Sequence, residues 1–149
     1  LKLIPVFRER PRHLLVCATN VIHSLDPAFI RPGRFDYVLP VGPPDEAARA
    51  AIWRNYVTQI TDDDVDIDRL VEATQLFTPA DIDFAARKAA QAAFERDVFG
   101  DQTTGSNLSP GSARATVDDF LRAIADTRPT LTRAIVHEFE TDIATYARM

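Results

Sequence analysis

The feature that most constrains this chain is a change of hydrophobic period at Gly42-Pro43-Pro44. Beyond that break, apolar residues recur at helical spacing, and the runs open on capping residues. Asp45 precedes Ala48, Ile52, Trp53 and Tyr56, which share one helical face. Asp66 starts a short helix carrying Ile67, Leu70 and Val71. Thr78-Pro79-Ala80-Asp81 joins a Thr cap, a Pro at the first helical position and an acid three residues on. The helix it opens is predicted to run to about Val98, with Ile82, Ala85, Ala86, Ala89, Ala93 and Phe94 packed inward. Thr116 opens a helix to Ala125, with Phe120, Leu121 and Ile124 inward. A last helix spans Thr132 to Ala147, with Ile135, Val136, Phe139, Ile143 and Tyr146 on its apolar face. The Gly- and Ser-bearing stretch 99–115 reads as a flexible surface loop.

Upstream of the break the pattern differs. Leu14 to Thr19 is a short apolar run without helical period, the mark of a buried strand, and Asn20 follows at its C-terminal end. Asp26-Pro27 caps a short helix over about 27–31, and Gly33 stops it. Phe35 to Val41 alternates loosely, as an edge strand does. One or two strands with open edges are sticky. Residues 1–43 are therefore expected to be poorly ordered, packed on the bundle, or paired with another copy.

The 149 residues suffice for one modest core. Cys17 is the only cysteine, which excludes an internal disulfide framework and a Cys-based zinc cluster and fits a reducing compartment. No apolar run approaches the roughly 20 residues of a membrane span. A net charge of −5 argues against general nucleic-acid binding. That charge is uneven: residues 1–34 carry +4 and residues 35–149 carry −9. One edge is thus suited to meeting negative charge.

The chemistry concentrates there. A polar Asn at the end of a buried strand lies where open α/β sheets present ligand-facing groups. Arg31 and Arg34 flank Pro32-Gly33, a stiff break that can hold two guanidinium forks at a surface, and such forks suit phosphate oxygens. Together Cys17-Ala18-Thr19-Asn20 and Leu25-Asp26-Pro27-Ala28-Phe29-Ile30-Arg31-Pro32-Gly33-Arg34-Phe35-Asp36 closely resemble the second half of the AAA ATPase module. The resemblance continues through Pro44-Asp45, Arg49, Phe77 to Asp81, Thr116 to Phe120 and Thr127-Arg128-Pro129, covering about residues 14–148.

This resemblance implies a mainly α fold. Residues 1–43 would be the C-terminal remnant of a P-loop α/β sheet, and residues 44–149 the four- to five-helix lid. It implies that Asn20 is the sensor 1 residue orienting the attacking water, and that Arg31 and Arg34 are fingers pointing into a neighbouring subunit's nucleotide site. Tyr56 falls where a ring meets adenine, and Pro79 and Ala80 occupy the turn that approaches base and ribose. The catalytic set is then Asn20, Arg31 and Arg34, the cofactor-binding set Tyr56, Pro79 and Ala80, with no metal ligands.

The sequence departs from the family in lacking a Gly-rich phosphate loop and a strand ending in Asp-Glu. ATP with magnesium is expected in the full-length protein and no cofactor on this segment, which cannot hydrolyse ATP alone. Pro79 also replaces the family's usual Gly, removing an N–H. The implied partners are other copies in a ring, a hexamer in the full-length protein, and protein substrates, with no nucleic acid and no membrane, in the cytoplasm. The alternative is a non-hydrolysing adaptor that keeps the ring-packing surface.

Plainer readings stand beside these. Asn20 also suits a turn, Arg31 and Arg34 could pair with Asp26 or Asp36, and Tyr56 could be a core aromatic. Asp64, Asp66 and Asp68 alternate like calcium-loop ligands, yet Arg69 and Gln75 stand where such a loop needs Gly and Glu, so Asp66 reads as a helix cap. Cys17, mid-strand in an apolar run, is a poor thiolate. The finger reading has both arginines aimed outward, and it fails if either turns inward against its own chain with no accessible face.

Overall fold

The computed structural model describes residues 3–8, 11–99 and 114–148. Most of the expected loop 99–115 lies outside the described residues. The order of elements is α1 (Leu3–Arg8), a 3-10 turn (Ile22–Ser24), α2 (Glu46–Ile60), α3 (Ile67–Ala73), α4 (Pro79–Phe99), α5 (Val117–Ala125) and α6 (Arg133–Tyr146). The fold is mainly α. Contacts divide the chain into Pro43–Arg133 and a second unit joining Leu1–Gly42 to Ala134–Met149. The sequence division placed the last helix in the bundle, whereas these contacts group it with the N-terminal segment.

The helical bundle is built from caps. Asp45 accepts the Ala48 N–H at 2.8 Å, and Asp66 accepts from Asp68 and Arg69 at 3.1 and 3.3 Å. Those bonds start α2 and α3 by using N–H groups that a helix leaves unpaired. Trp53, Leu70, Ile82 and Phe120 are fully buried, each worth about 1.5–3 kcal/mol of apolar burial. Trp53 meets Phe120 edge-on at 6.0 Å, and its indole N–H donates to Thr74 Oγ1 at 3.2 Å. Ala85, Ala86, Ala89 and Ala93 form the buried stripe of α4, so neighbouring helices approach closely. Phe94, expected inside, is 55% exposed. On α2 the buried set is Arg49, Ala50, Trp53 and Val57, rotated from the predicted face, with Ala48, Ile52 and Tyr56 half-buried.

The N-terminal unit corrects the strand expectations. Residues 14–19 carry no regular secondary structure, with Leu14 and Val16 largely exposed. Residues 35–41 contribute one isolated antiparallel bridge, in which Val38 and Arg148 exchange both backbone bonds at 3.1 Å. A strand exists only through partner strands, and among the described residues none is supplied. The helix expected over 27–31 is a run of turns instead. On α6 no residue is buried, and Ile135 and Ile143 remain exposed. Its Phe139 ring packs so close to Gly42 that a Cβ there would overlap it unless the ring shifted.

Candidate nucleotide-facing residues

The turn bearing the two arginines is closed by its own backbone. Asp26 Oδ1 accepts the Ala28 N–H at 2.8 Å, and the Phe29 N–H donates to the Asp26 carbonyl at 2.8 Å. The Phe35 N–H returns to the Phe29 carbonyl at 3.3 Å, and the two rings stack at 6.4 Å. Inside this closure Gly33 adopts φ 90°, a left-handed conformation open to glycine, and its N–H donates to Asp36 Oδ1 at 2.8 Å. Arg148 adds a clamp from the chain's other end, donating to the Ile30 carbonyl at 2.6 Å.

The two arginines leave this turn differently. Arg31 is exposed. Arg34 is half-buried, and its Nη1 donates to the Ala28 carbonyl of its own chain at 2.5 Å. Arg31 thus has an accessible side chain, while Arg34 braces the turn with part of its surface still accessible. Asn20 is exposed at a bend after a segment without regular structure, not at the end of a buried strand. Cys17 is likewise exposed.

In the bundle, Pro79 and Ala80 are the exposed first residues of α4. Thr78 and Asp81 form the predicted capping box: the Thr78 N–H and hydroxyl donate to Asp81 Oδ2 at 2.8 and 2.9 Å, and the Asp81 N–H returns to Thr78 Oγ1 at 3.2 Å. Thr130 adds two donors to the same carboxylate, from its N–H at 3.1 Å and its hydroxyl at 2.6 Å. Burial pushes this carboxyl up, but the bonds from Thr130 and Thr78 together outweigh it and hold it below the usual range. Tyr56 is half-buried and packs against the core with part of its ring still accessible.

A second capping box, Thr116 with Asp119, is reinforced by a cation. Arg96 Nη1 donates to Asp119 Oδ1 at 2.7 Å, and Arg96 Nη2 to the Arg114 carbonyl at 3.0 Å. Burial raises the Asp119 carboxyl, and the bonds from Arg96 and Thr116 with the Arg96 charge lower it further than burial lifts it. Sequence reasoning found the Thr78–Asp81 box and the helix start at Thr116, and missed Arg96 and Thr130, whose partners lie 23 and 49 residues away.

A groove of about 410 Å³ is lined by Glu46, Arg49, Asp68, Val71, Glu72 and Gln75. Three carboxylates against one guanidinium make it a poor phosphate site. Among the described residues no cluster of His, Cys, Asp or Glu is placed to hold a metal ion, and no helix is long and apolar enough to cross a membrane.

No family model matches the chain. Protein SAV of Sulfolobus acidocaldarius is 34% identical over 144 residues, which make up 93% of this chain and 18% of that protein. Cell division control protein 48 homolog B of Arabidopsis thaliana is 37% identical over 118 residues, 72% of this chain and 19% of its own length. Among solved structures, the FIGL-1 AAA domain in complex with ADP matches with a TM-score of 0.71 at 26% identity, over 88% of this chain and 44% of that one. The chain belongs to the AAA ATPase family, as the C-terminal part of the module with its helical lid. It spans about a fifth of the length of these curated relatives.

Proposed function

We propose that this chain is the sensor, finger and lid part of an ATPase that couples ATP hydrolysis to the remodelling of protein substrates in a cytoplasmic ring, a hexamer of the full-length protein. The observation that carries the reading is Arg31, exposed on a turn closed by Gly33 at φ 90° and by the bond from the Arg34 N–H to the Arg31 carbonyl at 3.2 Å. A guanidinium held outward on stiff backbone can offset the negative charge that develops on a phosphoryl group in a neighbouring copy. Arg34 keeps that turn in shape and adds its accessible edge. Asn20, exposed at its bend, orients the attacking water.

In the lid, the exposed Pro79–Ala80 end of α4 faces the base and ribose, with Tyr56 adding its half-buried ring. The ADP bound by the FIGL-1 AAA domain supports a nucleotide as the ligand of such a module. This chain has neither a Gly-rich phosphate loop nor a strand ending in Asp-Glu. Its own residues therefore fit the edges of a nucleotide site and not the magnesium, and it does not hydrolyse ATP by itself.

The test is Arg31→Ala in the full gene product. The expected result is a fall in kcat of about 10³-fold or more, with nucleotide affinity changed less than about threefold. An unchanged hydrolysis rate would make Arg31 an ordinary surface residue. A full gene product without a phosphate loop would favour the adaptor reading.

A further inference from the structure

The two capping boxes are alike in sequence, Thr78-x-x-Asp81 and Thr116-x-x-Asp119, and differ in what completes them. Asp119 receives a cation, as an ordinary structural box can. Asp81 receives the amide and hydroxyl of Thr130, on the loop between α5 and α6. With the two donors from Thr78, four donors converge on the Asp81 carboxylate. That saturation leaves the carboxylate little to offer a ligand. What it can do is fix the loop against the first turn of α4.

The first turn of α4 is also unusual in its donors. Pro79 has no N–H, and the Asp81 and Ile82 N–H groups both donate to Thr78. The Ala80 N–H, on an exposed residue, is the remaining donor of that turn. Its direction is set by how firmly Asp81, the next residue, is held.

We infer that the Asp81–Thr130 clasp positions the Ala80 end of α4 for nucleotide, and that Thr130 is a positioning residue of the nucleotide site. This rests on the reading of Pro79–Ala80 as the edge that faces base and ribose. A loop that could release Asp81 would loosen the grip on nucleotide without touching the phosphate chemistry.

Thr130→Val removes the hydroxyl donor while keeping size and backbone, and Thr130→Ser restores it. In the full gene product, Thr130→Val is expected to raise KM for ATP about three- to tenfold with kcat within about twofold, and Thr130→Ser to return KM to the parent value. In this chain, amide exchange at Asp81, whose N–H is bonded to Thr78, should quicken in Thr130→Val while Phe120 is unchanged. Ala80→Trp, which blocks the edge directly, is measured beside them. If Ala80→Trp raises KM and Thr130→Val does not, the clasp has no positioning role and the inference is overturned. If neither raises KM, the base-facing reading falls and the inference falls with it. A parallel loss of kcat and melting temperature in Thr130→Val, with KM unchanged, would mark a purely structural contact and overturn it too.

Discussion

The two contact units treat apolar side chains in opposite ways. In Pro43–Arg133, Trp53, Leu70, Ile82 and Phe120 are sealed from solvent. In the unit that joins the N-terminal segment to α6, Leu14, Val16, Tyr37, Leu39 and Val41 are each at least 68% exposed. The difference lies in where each element finds its hydrogen bonds. A helix satisfies its backbone within itself and needs only a neighbour for its apolar stripe. A strand needs a ladder, and the only bridge in the N-terminal unit, among the described residues, is Val38 with Arg148. The bundle is therefore complete in its own sequence, and the N-terminal segment holds its shape through turns.

The strongest way to break this contrast is to open the core. Phe120→Ala removes a fully buried ring that meets Trp53 edge-on and should destabilise the bundle by about 3–5 kcal/mol in denaturant unfolding followed by circular dichroism. A loss under about 1 kcal/mol would mean the bundle is looser than its burial implies.

Acid should sharpen the contrast next. Asp81 and Asp119 are both held below their ordinary value when folded. The stability they contribute is present above the unfolded carboxylate pKa of about 3.9 and is lost as pH falls through their folded values. Bundle stability should thus drop below about pH 4, and the drop should shrink in Asp119→Asn. A flat profile from pH 5 to pH 2 would contradict the bonding seen at both boxes. The smallest effect belongs to the exposed side. Val16→Ser should change bundle stability by less than about 0.5 kcal/mol, and a larger loss would show that Val16 is covered in solution.

Much of the bundle was legible because its signals are local. Asp45, Asp66, Thr78 and Thr116 each act on an N–H two or three residues away, so the sequence displays cap and target together. The face of α2 was read correctly at Trp53 and missed at Arg49, because a charged residue that takes a buried position gives no hydrophobic signal. The apolar pattern of α6 promised a core position that its helix does not take. In the N-terminal segment, Leu14 to Thr19 has strand composition, but composition cannot supply a partner strand. The Arg31 turn was visible through Pro32-Gly33. That Arg34 would curl back on Ala28 was not, since the same two guanidinium groups serve either a ligand or a carbonyl. Thr130 escaped notice because its carboxylate partner lies 49 residues upstream.

The bundle's sealed indole has a practical corollary. The chain has a single tryptophan, and Trp53 is wholly buried between Thr74 and Phe120. Its fluorescence is therefore a built-in gauge of the lid's integrity, and a spectroscopist watching that emission would see the lid melt.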